Sequence, residues 1–148
     1  MVFLQAAVSR HGPAFALLTL VEAGRLELLV NREILSELRE VLLRPAVQQK
    51  FPLLSIEFVD AFLKHLESVA IPIESVPRIF QFGRDPDDEP YINLAVAGQA
   101  QYLVTRDRDL LDLTEQATPE ARELRRVRPG LKILDPLMFL RELAAARE

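Results

Sequence analysis

At 148 residues, 49% hydrophobic and 27% charged, the chain has globular composition and enough length for one hydrophobic core, so a single domain over 1–148 is expected. The lack of cysteine excludes disulfides, thiolate metal sites and a cysteine nucleophile, and fits a reducing, cytoplasmic setting. The net charge of −4 weighs against a non-specific duplex binder, no apolar run approaches the ~20 residues of a membrane span, and Met1-Val2-Phe3-Leu4-Gln5 lacks the basic start of a signal peptide.

Pro13 to Ala23 places Phe15, Leu17, Leu18 and Val21 at near-helical spacing, with Gly24 as the stop. Leu26 to Val30 reads as a short strand. Asn31 then caps a helix over Glu33–Leu43, whose apolar stripe is Ile34, Leu35, Leu38, Val41 and Leu42. Pro45 interrupts that helix or starts another. Ser55 caps a helix reaching Ala70, with Phe58, Val59, Phe62, Leu63 and Leu66 turned inward. Ile71 to Val76 predicts a strand, placed at a sheet edge by Pro72. The turn-rich Gly83-Arg84-Asp85-Pro86-Asp87-Asp88 leads into a helix over Glu89–Gly98. Tyr102 to Thr105 predicts a strand buried on both faces. Leu113 to Pro129 is polar and reads as a loop with some helix, Leu131 to Leu134 as a last strand, and Asp135-Pro136 as the start of a terminal helix. Helices alternating with short apolar strands predict an α/β fold with a mostly parallel sheet.

Ligands of such sheets bind beyond the carboxyl ends of the strands, and three sets of acids fall there or on adjoining helices. They are Glu37; the cluster Asp85, Asp87, Asp88 and Glu89; and Asp107 with Asp109. Hard cations such as Mg²⁺ and Mn²⁺ take carboxylate oxygens, and a cation so held polarises a phosphoryl oxygen and activates water. Plainer roles exist for each: Asp88 as the cap of a helix opened by Pro90, Asp107 and Asp109 as caps of a short helical turn, and Glu37 as a structural ion-pair partner of Arg106 or of neighbours of Arg39. Spacing alone leaves both sets of roles open. His11 and His65 have no metal-ligand spacing, and His65 reads as a surface or packing residue. No P-loop or Gly-x-Gly-x-x-Gly occurs among the five glycines. Arg106 and Arg108 stand beside the expected pocket, where they contact phosphates or balance neighbouring acids. Arg122, Arg125, Arg126 and Arg128 form a second basic run that reads as a solvated face.

Three strings taken together carry a resemblance: Ile34-Leu35-Ser36-Glu37-Leu38-Arg39-Glu40-Val41-Leu42, Arg84-Asp85-Pro86-Asp87-Asp88-Glu89-Pro90-Tyr91-Ile92-Asn93-Leu94-Ala95, and Tyr102-Leu103-Val104-Thr105-Arg106-Asp107-Arg108-Asp109-Leu110-Leu111. With the closing Ile133-Leu134-Asp135-Pro136, they resemble the PIN-domain family across nearly the whole chain, in the branch of VapC-like ribonucleases, the toxin components of type II toxin–antitoxin systems. That resemblance implies a three-layer α/β/α fold with sheet order 3-2-1-4-5 and an acidic pocket for Mg²⁺ or Mn²⁺. It also implies hydrolysis of single-stranded RNA by metal-activated water, a cognate antitoxin and a homodimer. By position, Glu37, Asp88 and Asp107 match the family's catalytic, metal-binding acids, with Glu89 in place of Asp88 if the alignment slips by one. Asp85 and Asp109 match further metal-binding positions, and Thr105 the hydroxyl beside the site, where Arg106 and Arg108 would also meet substrate.

One departure stands out. Family members open with a hydrophobic strand ending in Asp-Thr-Asn, whereas Val2-Phe3-Leu4-Gln5-Ala6 resembles the helix start that follows it. The first strand and its Asp are therefore expected to be missing from these 148 residues, encoded upstream of Met1 or lost; alternatively, Val2 to Val8 is itself a strand that refills the gap without supplying an acid. Fewer carboxylates bind a cation more weakly, so impaired nuclease activity is expected. The alternative is a non-catalytic PIN-like module that binds an antitoxin helix or its own twin through apolar helices carrying Phe15 and Leu18.

Overall fold

Residues 2–115 and 117–146 are described by the computed structural model, which divides into two compact units, Phe3–Pro72 and the chain from Ile73 onward. In the first unit, α1 (Val2–Val8) sends Phe3, Leu4, Ala7 and Val8 against a core, an i, i+1, i+4, i+5 pattern that only a helix can turn to one side. The possibility of a strand over Val2–Val8 is thereby corrected. Helix α2 (Pro13–Glu22) begins with proline in its first turn and ends before Gly24, whose φ of +74° supplies the left-handed stop.

Strand β1 is only Leu29–Val30, shorter than the predicted Leu26–Val30. The Asn31 side chain accepts the Ile34 N–H at 2.9 Å and starts α3 (Arg32–Leu42). Pro45 opens a separate short helix, α4 (Pro45–Lys50). The Ser55 hydroxyl accepts the Phe58 N–H at 3.1 Å at the head of α5 (Ile56–Val69). From the expected inward face of α5, Val59 and Leu66 are fully buried beside Leu38, Leu42 and Leu54, while Phe58, Phe62 and Leu63 pack around them partly covered. Strand β2 (Ile71–Pro72) runs parallel to β1 with Leu29 opposite Ile71, and both of its residues are exposed, in keeping with an edge. The predicted extension to Val76 does not form: Ser75 has φ +56°, outside the extended region.

The second unit is organised around Phe80 and Phe82, which are 0% and 2% exposed, together with Ile92, Leu110, Leu113, Leu124 and Ile133. A 3₁₀ turn (Pro86–Asp88) leads into α6 (Glu89–Ala97). Two polar side chains of α6 fasten the segment before it. The Asn93 amide oxygen accepts the N–H groups of Ile79 (3.1 Å) and Phe80 (2.8 Å), and its nitrogen donates to the Phe80 carbonyl at 3.0 Å. Glu89 accepts from the Phe82 N–H at 2.7 Å and from Arg78 at 2.9 Å.

Strand β3 (Tyr102–Val104) precedes α7 (Arg108–Glu115), α8 (Pro119–Val127), β4 (Lys132–Leu134) and α9 (Pro136–Ala145). β3 and β4 are parallel, with Leu103 opposite Ile133. The β3 residues are half-buried, not enclosed on both faces as predicted. The stretch read as a loop with some helix contains all of α8: the Thr118 hydroxyl caps it by accepting the Ala121 N–H at 3.1 Å, and Ala121 and Leu124 are buried. Arg128 is not on a solvated face, because its guanidinium donates to the carbonyls of Ala100 (3.0 Å) and Gln99 (2.8 Å). As predicted, Asp135 caps the terminal helix, accepting the Met138 N–H at 2.8 Å. The expected single sheet is described as two two-stranded parallel sheets, β1–β2 and β3–β4. No described helix is long and apolar enough to cross a membrane.

Candidate metal centre

Beyond Val104 the chain turns by means of its own polar side chains. The Thr105 hydroxyl accepts the Asp107 N–H at 3.0 Å, and the Asp107 carboxylate accepts the Asp109 N–H at 2.9 Å as α7 begins. On the other side, Asp85 accepts the Asp87 N–H at 3.2 Å and so starts the 3₁₀ turn that carries Asp88. These two capped turns bring together one carboxylate oxygen each from Asp85, Asp107 and Asp109, all within 4.8 Å of one another. Oxygens on a hard cation sit roughly 2.0–2.6 Å from it, so ligands of one ion lie no more than about 5 Å apart. The spacing fits.

Asp88 supplies a second sign of fit. Its Oδ2 is buried and has no hydrogen-bond partner. Burial, then the charge of Asp107, then that of Asp85 push the Asp88 carboxyl up to about 8. Its neighbours are acceptors like itself, so only a proton or a cation reconciles them. A divalent cation would be held by Asp85, Asp107 and Asp109 with Asp88 beside them, and no thiolate or imidazole competes for it among these donors.

The remaining predicted residues take varied places. Glu37 is half-buried in α3, in the first unit, whereas the acidic group above belongs wholly to the second. Glu89 is 7% exposed, and its two oxygens are taken by Arg78 and then the Phe82 N–H, which hold it below the usual carboxylate range. Arg106 is exposed. Arg108 is engaged by acids, donating to Asp112 at 2.8 Å and pairing with Glu115. His65 is exposed and pairs with Glu22 at 2.8 Å, the surface role expected of it.

Sequence reading missed two residues at the site. Arg84 makes an ion pair with Asp109 at 2.6 Å and donates to Asp112 at 3.1 Å. Asp112 lies below its ordinary carboxyl range, through its hydrogen bonds with Arg108 and then Arg84. The i, i+4 spacing of Arg108 and Asp112 was a legible signal for half of this network. Nothing local pointed to Arg84.

Residues 1–109 match the PIN domain, whose members are in general metal-dependent nucleases that use divalent cations. No curated protein and no solved structure matches the chain. With the family match over most of its length, and an acidic group of fitting spacing beyond β3, this chain belongs to the PIN-domain family.

Proposed function

We propose that this chain is an endoribonuclease of the toxin type, a single PIN-like domain over 1–148 that hydrolyses RNA phosphodiesters with Mg²⁺ or Mn²⁺. The observation that carries this reading is the convergence of Asp85, Asp107 and Asp109 within 4.8 Å. When bound, a divalent cation supplies polarisation of a phosphoryl oxygen and activation of water. The chain's own residues do the rest. Asp85, Asp107 and Asp109 bind the cation, Asp88 holds a proton until the cation arrives, and Thr105 fixes the turn that aims Asp107. By its position in the family pattern alone, Glu37 is read as a catalytic acid of the chain, as are Asp88 and Asp107. Arg106, which is exposed, meets the RNA backbone, and Arg108 braces the acids of α7 beside it.

The sheet pairings favour the fold reading. Removing strand 1 from order 3-2-1-4-5 leaves neighbours 3-2 and 4-5, and the pairings β1–β2 and β3–β4 are consistent with that pattern. In this reading the family's first strand has no counterpart among β1–β4 of the described residues, and cleavage by the chain is weak. A cytoplasmic location, a cognate antitoxin and a homodimer complete the proposal.

A second reading, a non-catalytic interaction module, draws on a groove of about 280 Å³ in the first unit, lined by Phe15, Leu18, Phe58 and Phe62. Incubating the chain with mixed-sequence RNA and Mn²⁺ separates the two. Slow cleavage that stops in Asp107→Asn and Asp88→Asn is expected of the nuclease. Cleavage that survives both substitutions rejects this site, and RNA left intact at high enzyme concentration favours the module.

A further inference from the structure

Arg84 stands directly before Asp85, and its guanidinium bridges Asp109 (2.6 Å) and Asp112 (3.1 Å). Its two partners differ. Asp109 belongs to the acidic group that fits a cation, whereas Asp112 does not. Asp112 is also held at 2.8 Å by Arg108, so it keeps a counter-charge if Arg84 leaves. The Arg84 side chain is 46% exposed, against 14% for Asp112, and has a path to solvent. Arg108, by contrast, is tied to both Asp112 and Glu115.

We infer that Arg84 is a mobile counter-ion of the metal centre: it neutralises Asp109 while no cation is bound, and on cation binding it turns its guanidinium to a phosphate of the RNA backbone. This inference rests on the nuclease reading of the acidic group. The electrostatics give its direction. A cation that takes charge from Asp109 weakens the Arg84 pair, and a planar guanidinium released beside a bound phosphodiester has the fork geometry for two phosphate oxygens. Arg84 thus opposes cation binding in the free protein and favours substrate binding in the loaded one.

The test uses the full chain and two readouts other than cleavage. Calorimetric titration measures Mn²⁺ binding alone. Fluorescence anisotropy measures binding of a phosphorothioate single-stranded RNA in Mn²⁺. Losing a positive charge in contact with a ligand carboxylate, Arg84→Gln is expected to bind Mn²⁺ about tenfold more tightly. Losing a bidentate phosphate contact, the same variant is expected to bind the RNA about tenfold more weakly. Arg108→Gln removes an equal charge that does not touch Asp109, and is expected to shift Mn²⁺ affinity far less. If wild type binds Mn²⁺ but Arg84→Gln matches it, or if the two variants shift alike, the Arg84 inference fails while the metal site stands. If wild type binds no Mn²⁺, both fail. Should Arg84→Gln not fold, Arg84→Lys carries the test: it keeps the charge but not the fork, so near-normal Mn²⁺ affinity with several-fold weaker RNA binding is expected, and undiminished RNA binding overturns the inference.

Discussion

Asp107 accepts the Asp109 N–H at 2.9 Å while its carboxylate stands against Asp88, so the residue that starts α7 is also the one whose charge Asp88 must tolerate. Capping and ligation, which the sequence offered as alternatives for Asp107, are compatible in one side chain. A carboxylate has more acceptor sites than one N–H can use.

That juxtaposition gives a pH dependence. Asp88 is pushed up to about 8 from its ordinary 3.8, so the folded state binds this proton more tightly than the unfolded state does. Its contribution to stability is complete below the unfolded value and is lost as pH rises toward 8. The metal-free protein is therefore expected to show a Tm that falls between about pH 4 and pH 8 and then levels for this group. Asp88→Asn should remove that part of the fall. A variant with the same slope as wild type would show that Asp88 does not carry it.

The buried amide of Asn93 is a test of the second unit's folding. Asn93→Leu keeps the branched shape but leaves the N–H groups of Ile79 and Phe80 without their acceptor. An orphaned buried donor costs about 1–3 kcal/mol, and the Phe80 N–H is buried whereas Ile79 is exposed, so a loss of about 2 kcal/mol in urea unfolding is expected. A change below about 0.5 kcal/mol would mean these bonds are replaced by water.

Glu37 carries the part of the nuclease reading that rests on family position alone. Glu37→Gln is expected to lower Mn²⁺-dependent RNA cleavage at least about tenfold with little change in Tm, as for removal of a group that acts in the reaction and not in the core. Cleavage at the wild-type rate would remove Glu37 from the site.

Much of this was readable from local chemistry. Asn31, Ser55 and Asp135 each announce a helix by a short acceptor placed before an apolar stripe, and each caps as expected. Asp85 and Asp88 flank a proline turn and could be placed before α6, and Asp107 and Asp109 follow an apolar run and could be placed after β3. Other features depend on partners far along the chain. Glu89 reads as the acid that opens a helix, and as the alternative to Asp88, yet it is buried with its oxygens taken by Arg78 and the Phe82 N–H. Arg84 reads only as part of a turn-rich stretch, yet it faces Asp109. The α8 stripe is only Ala121 and Leu124 among arginines and glutamates, too thin an apolar signal to distinguish helix from loop. Strand lengths were overread for a related reason: apolar runs mark burial, whereas a ladder needs a neighbour, and β1 and β2 pair over two residues only.

The most direct test of the account is the melting temperature of the chain measured at pH 7 against increasing Mn²⁺. A cation bound only by the folded state stabilises by mass action, at ~2.7 kcal/mol when its concentration is a hundred times Kd. The expected result is a saturable rise in Tm for wild type that is lost in Asp107→Asn. A wild-type Tm indifferent to Mn²⁺, or an equal rise in Asp107→Asn, would contradict the claim that Asp85, Asp107 and Asp109 form a cation site.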